Sequence, residues 1–133
     1  MAAPLDRPGS WRSLALMLGH WMLRGYGQWA LQLKDDGHFV GRAGLWQPEG
    51  WSGLEVGWAL TRRFWGQGLA TEAGRATLDF AWNQLGADNV ISIIHPDNIA
   101  SQRVAERLGL QLQHNTTLGD QQVLILGRTR PAT

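Results

Sequence analysis

The sequence predicts a single α/β domain, with an α+β mixed sheet at its centre and helices packed on it. Three observations carry that expectation. Residues 28–61 hold three runs of alternating apolar and polar side chains, parted by Asp35-Asp36-Gly37 and Gln47-Pro48-Glu49-Gly50, as in an antiparallel meander. A glycine turn then opens a helical run over 69–85. After it comes Val90-Ile91-Ser92-Ile93-Ile94, a β-branched apolar run suited to a strand covered on both faces. A strand–helix–strand unit of this kind implies parallel pairing through a right-handed crossover. The length of 133 residues suits one core, so 1–133 is read as one domain.

Taken in order, Ser10 is the expected cap of a helix over 11–24. Trp11, Leu14, Ala15, Leu18, Trp21 and Met22 form its apolar face, and Leu16, Met17 and Leu23 imply cover on more than one side. His20 reads as an interfacial or surface histidine, since no second ligand is spaced to share a metal with it. Gly25-Tyr26-Gly27 ends the helix. Strands follow over 28–34, with Trp29, Leu31 and Leu33 on one face, and over 38–46 and 54–61. In the last of these, Glu55, Gly57 and Ala59 share one face, with Val56, Trp58 and Leu60 on the other. The next helix is expected to bury Leu69, Ala73, Ala76, Thr77 and Phe80, and Gly86-Ala87-Asp88 ends it. Residues 89–95 form the central strand. Pro96 stops it, and Asp97 or Asn98 caps a helix that runs to Leu108 and stops at Gly109. Residues 110–118 and 121–130 close as a hairpin about Gly119-Asp120.

Composition narrows the function classes. With 12 basic and 11 acidic residues the net charge is +1, which offers no general attraction to nucleic acid. No apolar run approaches the length of a membrane span, and the first residues lack a signal-peptide pattern, so the expected setting is cytoplasmic with no membrane partner. The absence of cysteine excludes disulfides, zinc–cysteine sites and an enzyme thiol nucleophile. The eight tryptophans are scattered; most suit packing, while Trp58 and Trp65 fall where they would also line a cleft.

The most informative stretch is Trp65-Gly66-Gln67-Gly68-Leu69-Ala70-Thr71-Glu72, between a strand and a helix start. The first N–H groups of a helix lack internal partners and carry the positive end of its dipole, so such a corner suits a phosphate. Gly66 and Gly68 let an anion approach the backbone, and Arg62 and Arg63 lie just upstream to add charge. No G-K-[ST] follows, which excludes a P-loop, and the third glycine of a dinucleotide fingerprint is not in place. A bare G-x-G also occurs in ordinary turns.

The longer strings Glu55-Val56-Gly57-Trp58-Ala59-Leu60 and Phe64-Trp65-Gly66-Gln67-Gly68-Leu69-Ala70-Thr71-Glu72-Ala73 are more specific. They resemble the pyrophosphate-binding segment of GCN5-related N-acetyltransferases (GNAT), in particular the RimJ/RimL-type branch. The resemblance covers residues 10–128. It implies the GNAT fold in N-terminally shortened form, since the family's first strand and helix have no counterpart before residue 10. The 28–34 strand is then an exposed sheet edge, from which a homodimer through that edge or the 11–24 helix is expected; a truncated copy with impaired acceptor binding is the alternative.

The resemblance further implies an acetyl-CoA-dependent N-acetyltransferase, an acyltransferase in which a neutral primary amine attacks directly. The amine would be a protein N-terminus or a small molecule. Residues 66–71 (Gly66, Gln67, Gly68, Leu69, Ala70, Thr71) would supply N–H groups to the pyrophosphate. Trp58, Ala59 and Leu60 would pair their backbone with the pantetheine arm. Trp65 stands where the superfamily carries Gln or Arg, a small departure in a loop that works through its backbone. Glu55 occupies the place of the family's glutamate base; as a plain strand carboxylate it would instead pair with an arginine such as Arg42. The family's usual tyrosine acid is replaced by Ala105, and the one tyrosine, Tyr26, lies elsewhere. In Ile94-His95-Pro96-Asp97-Asn98-Ile99-Ala100-Ser101 the resemblance makes Ser101 the acid and Asn98 a cofactor contact, with His95 in reserve. Helix-start duty is the other reading of both: for Asn98 the cofactor contact is preferred to it, and for Ser101 the two stand even. Arg103 and Arg107 are surface charges, or one meets the cofactor's 3′-phosphate. A coenzyme A-binding module without turnover is the competing class, and a structural subunit with an unrelated ligand the third.

Overall fold

Three runs with period-two alternation, a helix, and three further strands around a second short helix assemble into one six-stranded sheet. The computed structural model describes residues 3–132. In chain order it contains α1 (Arg7–Arg24), β1 (Gln28–Gln32), β2 (Phe39–Trp46), β3 (Glu55–Leu60), a 3-10 turn (Arg62–Phe64), α2 (Leu69–Asn83), β4 (Asn89–Ile94), α3 (Ile99–Arg107), β5 (Gln111–Leu118) and β6 (Gln121–Thr129). The sheet order is β1-β2-β3-β4-β6-β5. Only β3 and β4 run parallel, joined through α2, and the other neighbours are antiparallel. The mixed α/β class and the crossover follow the sequence expectation, and β1 lies at a sheet edge as expected.

Successive strand residues point to opposite faces. Leu45 packs in the main core with Val56, Leu78, Ala81 and Trp82, whereas Trp46 stacks on His20 of α1 at a centroid distance of 4.4 Å. The two helices are thus carried on opposite faces of β2. Helix α2 also meets α3 closely: a Cβ on Gly74 would stand 2.5 Å from Leu108 Cδ1, so the glycine opens the notch that receives the leucine. The buried stripe of α2 is Thr71, Gly74, Thr77, Leu78, Ala81 and Trp82. Ala76 is exposed and Leu69, Ala73 and Phe80 are half-buried, so the expected stripe is rotated. The rotation follows from α3, whose Leu108 claims the Gly74 side of the helix.

Helix α1 departs most from expectation. Its cap is Asp6 rather than Ser10: the Asp6 carboxylate accepts from the Gly9 N–H at 2.8 Å, and Pro8 sits in the first turn, where its missing N–H costs nothing. Trp11, Leu14, Leu18 and Met22, expected to form the buried face, are exposed, as are Leu16 and Leu23. The face that meets the protein carries Ser13, Met17, His20 and Trp21. Two polar anchors choose it. The Trp21 indole N–H donates to the Gln28 carbonyl at 2.7 Å. His20 is buried, accepts the Gln47 N–H at Nε2 (2.9 Å), and therefore carries its proton on Nδ1, which donates to the Tyr26 carbonyl at 2.8 Å. His20 is thus a helix–sheet tie at an interface.

Replacing His20 by Leu leaves the Gln47 N–H and the Tyr26 carbonyl unpaired. We expect a loss of about 2–4 kcal/mol of unfolding free energy, read by urea denaturation. A variant as stable as the parent would show that these bonds contribute nothing net.

Candidate functional site

Strands β3 and β4 begin together and then part. Their registered pairing is limited to Glu55 with Ile91, reinforced by the Ile91 N–H donating to the Leu54 carbonyl at 2.9 Å. Beyond that point the two strands are bridged by side chains. The buried Ser92 hydroxyl donates to the Val56 carbonyl at 2.9 Å, and the Ile93 N–H donates to Glu55 Oε2 at 3.4 Å. Trp58 and Leu60, whose main-chain groups face β4 as those of Leu54 and Val56 do, therefore have no ladder partner there, which is the opening a strand-like ligand arm needs, while Ala59 between them turns its own to Arg42 of β2. Trp58 and Ala59 lie on this stretch with Leu60, whose carbonyl already accepts from the Trp65 indole at 2.9 Å.

The opening leads to the start of α2. Gly66 and Gly68 both have φ of 76°, a conformation that strains any residue with a side chain, and Gly68 is the helix N-cap. A Cβ on either would meet nothing within 4 Å, so conformation is the first reason for glycine here, ahead of clearance. Among the described residues, none of the six N–H groups of 66–71 finds an acceptor in the protein; the first helical bond runs from the Glu72 N–H to the Gly68 carbonyl. The Thr71 hydroxyl is buried in the same turn without a partner. Six unpaired donors and an orphaned hydroxyl at the positive end of a helix fit a diphosphate. Arg62 and Arg63 stack on Trp65 and Phe64 and stand beside the loop as exposed cations.

On the Glu55 side, the sheet forms the floor of a cleft of ≈ 370 Å³ whose lining includes Glu55, Arg42, Gly57, Trp51, His95 and Ser101. Met17 and Ser13 of α1 wall it on one side. The Trp51 indole donates to Glu55 Oε1 at 3.0 Å. Burial pushes the Glu55 carboxyl above its ordinary range; the bonds from Trp51 and Ile93 and the charge of Arg42 offset this only in part. Trp51 and Ser92 were not singled out from the sequence, although Ser92 is the one polar residue within an otherwise apolar strand run.

The N-terminus of α3 closes the far side. Asn98 caps the helix, its Oδ1 accepting from the Ser101 N–H at 3.1 Å, which leaves its amide NH2 as the remaining donor. The Ser101 hydroxyl accepts from the Trp58 indole at 3.2 Å, so its own proton stays available to donate. His95 is exposed, with Nδ1 3.7 Å from Asp97. Ala105, at the tyrosine position of the resemblance, is fully buried in the core, and Tyr26 packs against His20 away from the cleft. Arg103 and Arg107 are exposed on α3. Glu55, Ser101, His95, Asn98 and Trp58 thus share one cleft, while residues 65–71 lie at the α2 start.

A model of the acetyltransferase (GNAT) domain matches residues 1–111 of this chain. Bacillus subtilis YkkB, an uncharacterized protein, is 40% identical over 91 residues, covering 65% of this chain and 53% of YkkB. A crystal structure of an acetyltransferase from Agrobacterium tumefaciens superposes with a TM-score of 0.87 at 29% identity, over 96% of this chain and 75% of that one. The aminoglycoside acetyltransferase AAC(6')-Ib in complex with coenzyme A shares the fold at a TM-score of 0.70 and 19% identity, over 84% of this chain and 70% of that one. The chain spans about half the length of the curated relatives it matches.

Glu55 makes folding pH-dependent. A carboxyl whose folded pKa is raised contributes most below its ordinary value of 4.5, and that contribution is lost as pH rises through the folded pKa. Wild type should therefore lose ground to Glu55→Gln between pH 4 and pH 7, measured as the difference in Tm of the two proteins at each pH. A constant difference would mean that Glu55 has the same pKa folded and unfolded.

Proposed function

Because this chain belongs to the acetyltransferase (GNAT) family, we propose that it transfers the acetyl group of acetyl-CoA to a primary amine by direct attack. The amine is a protein N-terminal α-amine or a small-molecule amine. One observation carries the reading: six unpaired backbone N–H groups at residues 66–71 stand beside a parallel strand pair that parts after a single rung. The first feature suits a diphosphate and the second an extended amide-bearing arm, and coenzyme A has both.

Acetyl-CoA would supply an activated acyl thioester; the chain's residues do the rest. Residues 66–71, with Thr71 contributing its hydroxyl and Trp65 bracing the turn, hold the diphosphate. Trp58 and Leu60 pair with the arm from either side of Ala59, whose own backbone is paired with Arg42 of β2, and the Asn98 amide donates to the arm. Glu55 removes a proton from the incoming ammonium, directly or through a water. Its raised pKa makes it a stronger base than an exposed carboxylate at neutral pH. A lysine-type amine is under ~0.1% neutral at pH 7, whereas an α-amine of pKa ~7.8 is neutral in about one molecule of seven, so Glu55 has less to do with the latter. As the C–S bond breaks, Ser101 gives its proton to the departing thiolate and regains one from the newly acylated nitrogen, directly or through water, and His95 stands in the same cleft as the alternative donor. The run from His95 to Ser101 supports placement in the RimJ/RimL-type branch, and the reading carries a cytoplasmic setting with it.

We also propose a homodimer. The supporting features are the outer edge of β1, which pairs with no strand among the described residues, and the outward apolar side chains of α1, among them Trp11, Met22 and Leu23 at 70%, 87% and 88% exposure.

Release of free thiol from acetyl-CoA with a panel of amines tests the activity. Stabilisation by coenzyme A without thiol release would identify a binding module instead. Gly68→Val forces a β-branched residue to φ of 76° at the helix cap and should abolish the rise in Tm that coenzyme A gives the parent. An undiminished rise would remove the loop from the binding site. In sedimentation velocity at micromolar concentration the parent should run as a dimer and Leu23→Glu as a monomer. A monomeric parent would end the dimer proposal.

A further inference from the structure

The charged groups facing the acceptor side of the cleft are few and of both signs. Glu55 is the one carboxylate in the lining, and Arg42 the one permanent cation. Arg42 lies on β2 opposite Ala59, four residues along β3 from Glu55, so the Cα positions of Arg42 and Glu55 are roughly 14 Å apart across the strand pair and both side chains rise from the same face of the sheet. Arg42 is exposed, and among the described residues no carboxylate lies within ion-pair distance of it. Among the described residues its guanidinium makes one hydrogen bond, from Nη1 to Gln28 Oε1 at 3.0 Å. That bond steadies the guanidinium and leaves most of its five donors free. Between the poles the floor is low, because Gly57 has no side chain and a Cβ there would meet nothing within 4 Å.

We infer that the cleft selects an acceptor bearing a carboxylate as well as an amine, an amino acid in chemical class, with Arg42 taking the carboxylate while the amine faces Glu55. The inference rests on the acetyl-transfer reading above. A planar guanidinium with a fork of free N–H groups matches a carboxylate in two parallel bonds, which neither Lys nor a neutral donor does as well. A polyamine is the wrong shape of charge for this cleft: its second ammonium would meet Arg42 instead of a second carboxylate, and like charges repel. Arg42 has a further effect. Its field lowers the Glu55 pKa, opposing the effect of burial, and an acceptor carboxylate that neutralises Arg42 weakens this opposition. The preferred acceptor thereby strengthens the base that deprotonates it.

The test is the ratio of kcat/KM for an amino acid to that for its carboxamide, followed by thiol release from acetyl-CoA. Phenylalanine with phenylalaninamide, and 4-aminobutyrate with 4-aminobutanamide, are suitable pairs. For the parent we expect the free acid of at least one pair to be favoured by about 10- to 100-fold, the range of a charged hydrogen-bonded contact. In Arg42→Gln that ratio should fall towards one, chiefly through KM, and Arg42→Lys should restore part of it. Retention of the coenzyme A-induced rise in Tm shows that the variants are folded. A parent ratio near one for both pairs overturns the inference while leaving acetyl transfer standing, and so does an Arg42→Gln ratio equal to the parent's. If no amine releases thiol with the parent, acetyl transfer and the inference fall together.

Discussion

The parting of β3 from β4 is the constraint on which the rest of the molecule depends. A parallel pair at the middle of a sheet ordinarily continues its ladder, because an unpaired buried N–H or C=O is costly. Here the ladder stops after Glu55 and Ile91, and side chains take over part of its duty. The Ser92 hydroxyl satisfies the Val56 carbonyl, and the Glu55 carboxylate accepts the Ile93 N–H. The Trp65 indole turns back to the Leu60 carbonyl. The groups left over line the opening, and they lead to the turn where six N–H groups await an acceptor.

Glu55 belongs both to the frame and to the cleft. It sits on the last shared rung, is held by Trp51 and Ile93, and has a raised pKa through burial. A carboxylate bound by two N–H donors would ordinarily be acidified. Burial at the floor of the cleft, beside the Trp51 indole, outweighs them. Asn98, the cap of α3, and Ser101 in its first turn divide their polar atoms between capping, the Trp58 indole and the cleft.

Much of this was legible in the sequence. The glycine turn, the alternation of Glu55 with Gly57 and Ala59, and the Pro96 break each have a local cause, and each placed its element within a few residues. The faces of the helices were less legible. In α1 the apolar positions outnumber one face, so periodicity selected Trp11, Leu14, Leu18 and Met22, while the protein seats the helix through Trp21, bonded to Gln28, and His20, bonded to Gln47 beyond β2. In α2 the packing of Leu108 into the Gly74 notch rotates the stripe, and no spacing rule foresees a notch. Asp6 followed by Pro8 was a stronger start signal than Ser10, visible in the chain but outweighed by the apolar run that begins at Trp11. The Trp51 contact to Glu55 depends on how the 47–54 segment folds back over the sheet, which composition alone does not fix.

At its midline the sheet joins β1-β2-β3 to β4-β6-β5 by one registered rung, two side-chain bridges, the α2 crossover and a common core. Anything that lies along the seam and bonds to both margins becomes a splint. A ligand doing so would add its bonds to the Glu55–Ile91 rung and to the Ser92 and Glu55 bridges, and its departure would leave the seam to those three alone.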